Sequence, residues 1–331
     1  MERFALAAAV VLGFALTAAL CSLFVPLRRV LERREQNQQP AQSEQPRPAP
    51  LRAPLWGGLC AAAGTVAAVG VGWLAACVGQ PELLGSEGRL MTRLLTALAG
   101  SLAFGAVGLA EDLARMRSPA ALGLRRDVRL LLEALAAAFV LLLLRAAGCL
   151  PRGLGVPGAG YVLLGSAVPF LWAVLMVALA ECARIAERDE GTVCGAAFVA
   201  MLALMMAEAG LGVPGLAVLP AALAGALVAL GLWAFPPARL GVGCCGSLLA
   251  AGAIGCIPLS LDMTSLTVPL ALPFWAAGGL WAAQLLGAKR TGKPLRCWVK
   301  KHKMSPETVF LCSFALSAVG YVLALALLRW C

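Results

Sequence analysis

The sequence predicts an all-α polytopic membrane protein, one domain over residues 1–331, with ten transmembrane helices and both termini extracytoplasmic. Three observations carry this. Of the 331 residues, 61% are hydrophobic and only 13% charged, whereas soluble domains carry about 25% charged residues. Ten apolar runs are long enough to cross hydrocarbon, which takes roughly 17 to 25 helical residues. Backbone polar groups in lipid must be satisfied within the segment, so the runs are read as helices and not as sheet. Lys and Arg are also one-sided: 21 of the 27, Arg129 included, fall in the loops after runs one, three, five, seven and nine. Positive loops stay cytoplasmic, so these five are inner loops. The net charge of +10 is then mostly an inner-surface property, suited to anionic lipid headgroups and phosphate and not to nucleic acid.

Run one, Phe4 to Val25, is followed by Arg28, Arg29, Arg33 and Arg34 and has no well-fitting A-x-A site, so it reads as a retained helix and not a cleaved signal. Cys21 follows Leu20, where lipidation would want a small residue. Residues 35–50 include QNQQPAQSEQPRPAP, which cannot bury a core and is expected to be a flexible cytoplasmic linker. Arg52 to Gly58, RAPLWGG, leads into run two, Leu55 to Val78, with an interfacial Trp56 and a Gly pair that permits close helix contact.

Run three, Leu94 to Ala110, ends against Glu111 and Asp112. Adjacent carboxylates at a membrane boundary can ligate a hard cation such as magnesium, or one can act as a base; capping or solvation also accounts for them. Arg115, Arg125, Arg126 and Arg129 follow, either to hold phosphate or merely to obey the positive-inside rule, and Glu133 lies a turn into run four, Val128 to Leu144. Run five is Tyr161 to Ala180. Behind it, Glu181 to Gly191 reads ECARIAERDEG, four acids in eleven positions before run six, Thr192 to Ala209. Glu187 and Glu190 share a helix face, as do Arg184 and Arg188. A cation or phosphate site and local ion pairs both fit that spacing.

Run seven, Leu216 to Phe235, leads into PPARLGVGCCGS, which is too glycine-rich to be expected as a stable helix. Its amides at Gly243 and Gly246 are candidates to approach a phosphate, with a tight re-entry turn as the other account. Runs eight and nine are Ser247 to Met263 and Leu266 to Leu286. The last inner loop, Ala288 to Thr308, has seven Lys or Arg and the lone histidine, His302, and would lie against an anionic leaflet before run ten, Val309 to Leu328. Twelve cysteines without a C-x-x-C pair indicate small buried hydrophobes and no zinc site or disulfide framework.

Taken in order, the five inner loops resemble those of the polyprenyl-phosphate N-acetylhexosamine-1-phosphate transferases, most closely the phospho-N-acetylmuramoyl-pentapeptide (MraY-type) transferases. RAPLWGG resembles that family's G-T-P-T-M-G-G, GLAEDLAR its G-F-x-D-D-x-x-K, ECARIAERDEG its N-A-V-N-L-T-D-G-L-D-G, PARLGVGCCGS its P-A-x-x-F-M-G-D-T-G-S, and RTGKPL the T-G-K before a triple histidine. The resemblance covers almost the whole chain and implies transfer of a sugar-1-phosphate from a UDP-linked amino sugar to polyprenyl phosphate, at the cytoplasmic face of the plasma membrane, in cell-wall or surface-glycan synthesis. It also implies a homodimer among membrane lipids, and magnesium at a carboxylate cluster.

Carried over residue by residue, the paired aspartates fall on Glu111 and Asp112 and the lysine on Arg115. The central metal-site aspartate falls on Glu187, a second on Glu190, and the motif's asparagines on Glu181 and Arg184. Glu111, Asp112 and Glu187 are thus the implied catalytic and metal-holding residues; Arg115, Arg125, Arg126, Arg129, Glu190, Gly243, Gly246 and His302 are the implied substrate-binding ones. The departures weigh against full activity. Glutamate moves a ligand oxygen by one methylene, Cys244 stands where an aspartate is wanted and is a poor magnesium ligand, and only His302 remains of the triple histidine. Altered catalysis is therefore expected, with a non-catalytic relative that binds lipid phosphate or a partner protein as the alternative. A transporter or channel fits less well, because the charges sit in loops.

Overall fold

The computed structural model describes residues 2–38, 56–79, 88–117, 123–151, 153–156, 160–163, 165, 167–187, 191–213, 215–235, 238–287 and 305–330. Nearly all are helical. In chain order the helices are α1 (Glu2–Gln38), α2 (Gly57–Gly79), α3 (Gly88–Arg117), α4 (Arg126–Ala146), α5 (Ala167–Ala186), α6 (Thr192–Gly210), α7 (Val218–Ala234), α8 (Gly243–Ser260), α9 (Thr267–Leu270), α10 (Leu272–Gly287) and α11 (Pro306–Trp330). Each of the ten apolar runs holds helix. Among the described residues, seven helices are long and apolar enough to cross a membrane, eight if the bent α9–α10 pair counts as one span. The other two runs fall on α7, which is shorter, and α4, which carries Arg129, Glu133 and Arg145 along its length.

Two expectations about local structure are corrected. Run five begins in the second strand of a β-hairpin, with β1 (Gly153–Val156) antiparallel to β2 (Gly160–Leu163) and Val156 opposite Gly160. Glycines and β-branched residues weaken helix there, and the hairpin satisfies backbone groups across its two strands, so the helix waits until Ala167. Run nine is broken: its two helical pieces meet at 64°. Pro269 and Pro273 each remove an amide donor, which interrupts the ladder where α9 hands over to α10. Of the expected linker, residues 35–38 continue α1 as helix and the rest lies outside the described residues.

The centre of the bundle is α8. All eighteen of its residues are buried, and α2, α3, α5 and α6 surround it. Its sequence, GCCGSLLAAGAIGCIPLS, is mostly small side chains, which is what close helix approach in a membrane protein requires. Trp172 of α5 reaches across to donate its indole N–H to the carbonyl of Gly255 at 3.3 Å. Outside this core, α1 crosses α7 and α2, while α11 leans on α6. Large apolar side chains such as Phe4, Leu74, Leu142, Phe170, Leu232 and Val322 point outward and are exposed. A surface of this kind is soluble in hydrocarbon and not in water.

Candidate functional site

The first turn of α8 is clamped between two other helices. A Cβ at Gly108 of α3 would overlap the carbonyl of Cys244, and one at Gly58 of α2 would overlap the amide of Gly246. These contacts are backbone against backbone, so neither position has room for a side chain. They also explain why the glycine-rich segment is helical from Gly243, against expectation. Burial between α2 and α3 supplies the order that glycine lacks on its own. Gly108→Val is accordingly expected to cost about 3 kcal/mol or more in detergent unfolding; a midpoint matching wild type would mean that α3 and α8 separate easily.

Because α3 lies so close, Asp112 meets the open end of α8. Its Oδ1 accepts from the amide of Cys244 at 3.0 Å and its Oδ2 from that of Cys245 at 2.9 Å. Helix N-termini leave amides unpaired and carry partial positive charge, so a carboxylate is well placed there. Asp112 is 1% exposed. Both of its oxygens therefore hold a helix in position.

Arg115 stands one turn beyond. Its Nη2 donates to Glu111 Oε1 at 2.7 Å, and its Nη1 lies 3.9 Å from Asp112 Oδ1 and 3.9 Å from Glu187 Oε2. Glu187 arrives from the turn that closes α5, its amide bonded to the carbonyl of Ala183. One guanidinium thus faces three carboxylates from two helices. Gly123, at φ +69°, covers the arginine: a Cβ there would come within 3.1 Å of Arg115 Cγ and 3.3 Å of its Nε.

A second layer of charge lies behind the first. Arg129 of α4 donates its Nε to Glu181 Oε1 at 2.7 Å, and Arg184 bonds the other oxygen of the same carboxylate. Both guanidinia also approach Glu111 Oε1, at 3.8 Å and 4.0 Å. Glu111 is therefore ringed by Arg115, Arg129 and Arg184. Its Oε2 has no hydrogen-bond partner, and neither has either oxygen of the fully buried Glu133, one turn along α4 from Arg129.

The structure brings together Glu111, Asp112, Arg115, Arg129 and Glu187 among the residues singled out from sequence. Arg125 and Arg126 are exposed at the start of α4. Gly243 and Gly246 lie in the clamped first turn of α8, and the two amides between them are taken by Asp112. Glu190 and His302 lie outside the described residues. Sequence reasoning placed Glu181 and Arg184 on the asparagines of the family motif without pairing them, whereas here they join Arg129 in tying α4 to α5. Their signal was the oppositely charged pair three apart in a chain with so few charges.

Among the described residues, no group of three or more His, Cys, Asp or Glu side chains is arranged to hold a metal ion. The donor set explains this. Asp112 is committed to two amides, one oxygen of Glu111 is bonded to Arg115 and approached by two further guanidinia, Glu187 faces the same Arg115 at 3.9 Å, and Cys244 offers a buried thiol where a hard oxygen would be needed. As arranged, these residues do not fit a magnesium ion.

The sequence profile of glycosyl transferase family 4 matches residues 94–262, just over half of the chain. The chain belongs to this family. The matched stretch contains the whole cluster, from Glu111 and Asp112 on α3 to Cys244 on α8. No curated protein matches the chain in sequence. Membership of glycosyl transferase family 4 indicates a transferase, and the apolar helices together with the family make this member a membrane protein.

Proposed function

We propose that this family 4 member is a phosphosugar transferase of the phospho-N-acetylmuramoyl-pentapeptide type with impaired catalysis. It moves a sugar-1-phosphate from a UDP-linked amino sugar to polyprenyl phosphate, at the cytoplasmic face of the plasma membrane. The observation that carries this reading is the convergence of Glu111, Asp112, Arg115 and Glu187 beside the first turn of α8. Four positions of two family motifs meet there, against the helix turn that carries a third.

In the reaction, an oxygen of the lipid phosphate attacks the phosphorus attached to the sugar. A new P–O bond forms, the pyrophosphate bond to UMP breaks, and UMP leaves with the electron pair. Such transfer depends on positioning and charge stabilisation more than on covalent help from the protein. Arg125 and Arg126 are exposed at the start of α4 and suited to draw in phosphate groups. Arg115, partly exposed, faces the reacting phosphates, and Glu187 orients it. Glutamates in place of aspartates and Cys244 in place of an acid displace the charge pattern, which costs rate.

The test is UMP release from purified protein given polyprenyl phosphate and a panel of UDP-linked amino sugars. Turnover about 100-fold below that of a relative with intact motifs is expected, the loss that follows from displacing reacting groups by around an ångström. No UMP from any donor would remove the transfer reading. A second reading, a non-catalytic relative that binds lipid phosphate or a partner protein, is favoured by one feature: Asp112 spends both oxygens on the amides of α8. Under it, lipid phosphate binds without turnover and Glu187→Ala leaves that binding unchanged.

A further inference from the structure

We propose that Arg115 is the built-in cation of this site, so that the protein handles phosphate there without a divalent metal. The inference rests on the transferase reading for its substrate, but its geometry stands apart. A guanidinium with one N–H···O bond of 2.7 Å and two further carboxylate oxygens at 3.9 Å occupies the position from which a divalent ion would compensate Glu111, Asp112 and Glu187. Glu111 receives two more guanidinia, at 3.8 Å and 4.0 Å.

Charge and chemistry point the same way. A divalent ion brought among these acids would sit against a permanent positive charge, since arginine does not deprotonate in proteins. Cys244 leaves no carboxylate on α8, and the carboxylate that faces α8 is bound to amides. Guanidinium differs from a metal ion in a useful way. Its five N–H donors can hold carboxylates on one edge and offer the other to phosphate oxygens. With a side chain 23% exposed, against 13% for Glu187, 3% for Glu111 and 1% for Asp112, Arg115 is the most accessible member of the group. Gly123, folded over its stem, keeps it in place.

The test is a titration of Mn²⁺ into the full-length protein in detergent, followed by electron paramagnetic resonance and by the unfolding midpoint. Wild type is expected to show no saturable Mn²⁺ site up to millimolar ion and no shift in midpoint. Arg115→Met is expected to gain at least about tenfold in Mn²⁺ affinity, the scale on which groups beside a metal site tune it, and Glu187→Gln in that background removes the gain. One Mn²⁺ bound per wild-type chain and lost in Glu187→Gln overturns the proposal, as does a folded Arg115→Met protein with no gain. Should that variant fail to fold, the wild-type titration decides alone. UMP release in excess EDTA separates the two readings. Release that persists supports both; release lost in EDTA and restored by Mg²⁺ overturns the metal-free site while sparing the transferase. An absence of release in both conditions removes the transferase reading and leaves the Mn²⁺ titration to judge Arg115.

Discussion

Asp112→Ala is expected to lower the unfolding free energy by about 3 to 5 kcal/mol, the range for stripping a buried, charge-assisted partner from groups that no solvent reaches. The amides of Cys244 and Cys245 would be left open at the start of the most deeply buried helix in the protein. Asp112→Asn should cost roughly half as much, because its carbonyl still accepts one amide while its NH₂ is turned toward the other. Unfolding by SDS titration in mixed micelles reads both. A loss below about 1 kcal/mol for alanine would sink the idea that Asp112 anchors α8, since it would mean that water reaches those amides. The result also governs how activity data are read: a dead Asp112 variant that has lost its fold says nothing about metal ligation.

Glu181→Ala should cost about 3 kcal/mol, since it strands Arg129 and Arg184, whose side chains are only 8% and 12% exposed. The informative measurement is the cycle with Arg184→Ala. A coupling of about 1 to 3 kcal/mol between the two changes is expected for a pair that acts as one buried unit. Additive effects would mark the pair as a screened surface contact, which contributes little. The cycle matters because Glu181 bridges α4 to α5, and through Arg129 and Arg184 sets where Glu111 sits.

The helices were legible because hydropathy is a local property that a membrane imposes on every spanning segment. The carboxylates of the cluster were legible because acids are rare in this chain and stand where loops meet apolar runs. Their partners were not. Helical spacing directs attention to neighbours three or four positions away, which are the separations of Glu111 from Arg115 and of Glu181 from Arg184. It is blind to Arg129 with Glu181, which are 52 positions apart, and to Asp112 with Cys244, which are 132 apart. The segment around Gly243 was misjudged for a related reason. Helix propensity describes an isolated chain, while here the absence of a Cβ at Gly58 and Gly108 lets neighbouring backbones enforce the helix. The break at Leu270 is written in Pro269 and Pro273, but a run of apolar residues conceals it from a count of hydropathy.

Helix α8 is buried inside the bundle along its whole length. Its residues answer to volume and not to solubility, even though solubility in oil is what marks the segment as membrane-spanning. On the lipid-facing side of α11, exchanging one aliphatic residue for a larger one changes little, because acyl chains rearrange around it. Leucine at Ala250, just as apolar, has nowhere to go. The segment that looks most ordinary on a hydropathy scale is thus the one whose tolerance that scale describes least, and substitutions conservative in polarity will divide sharply by helix.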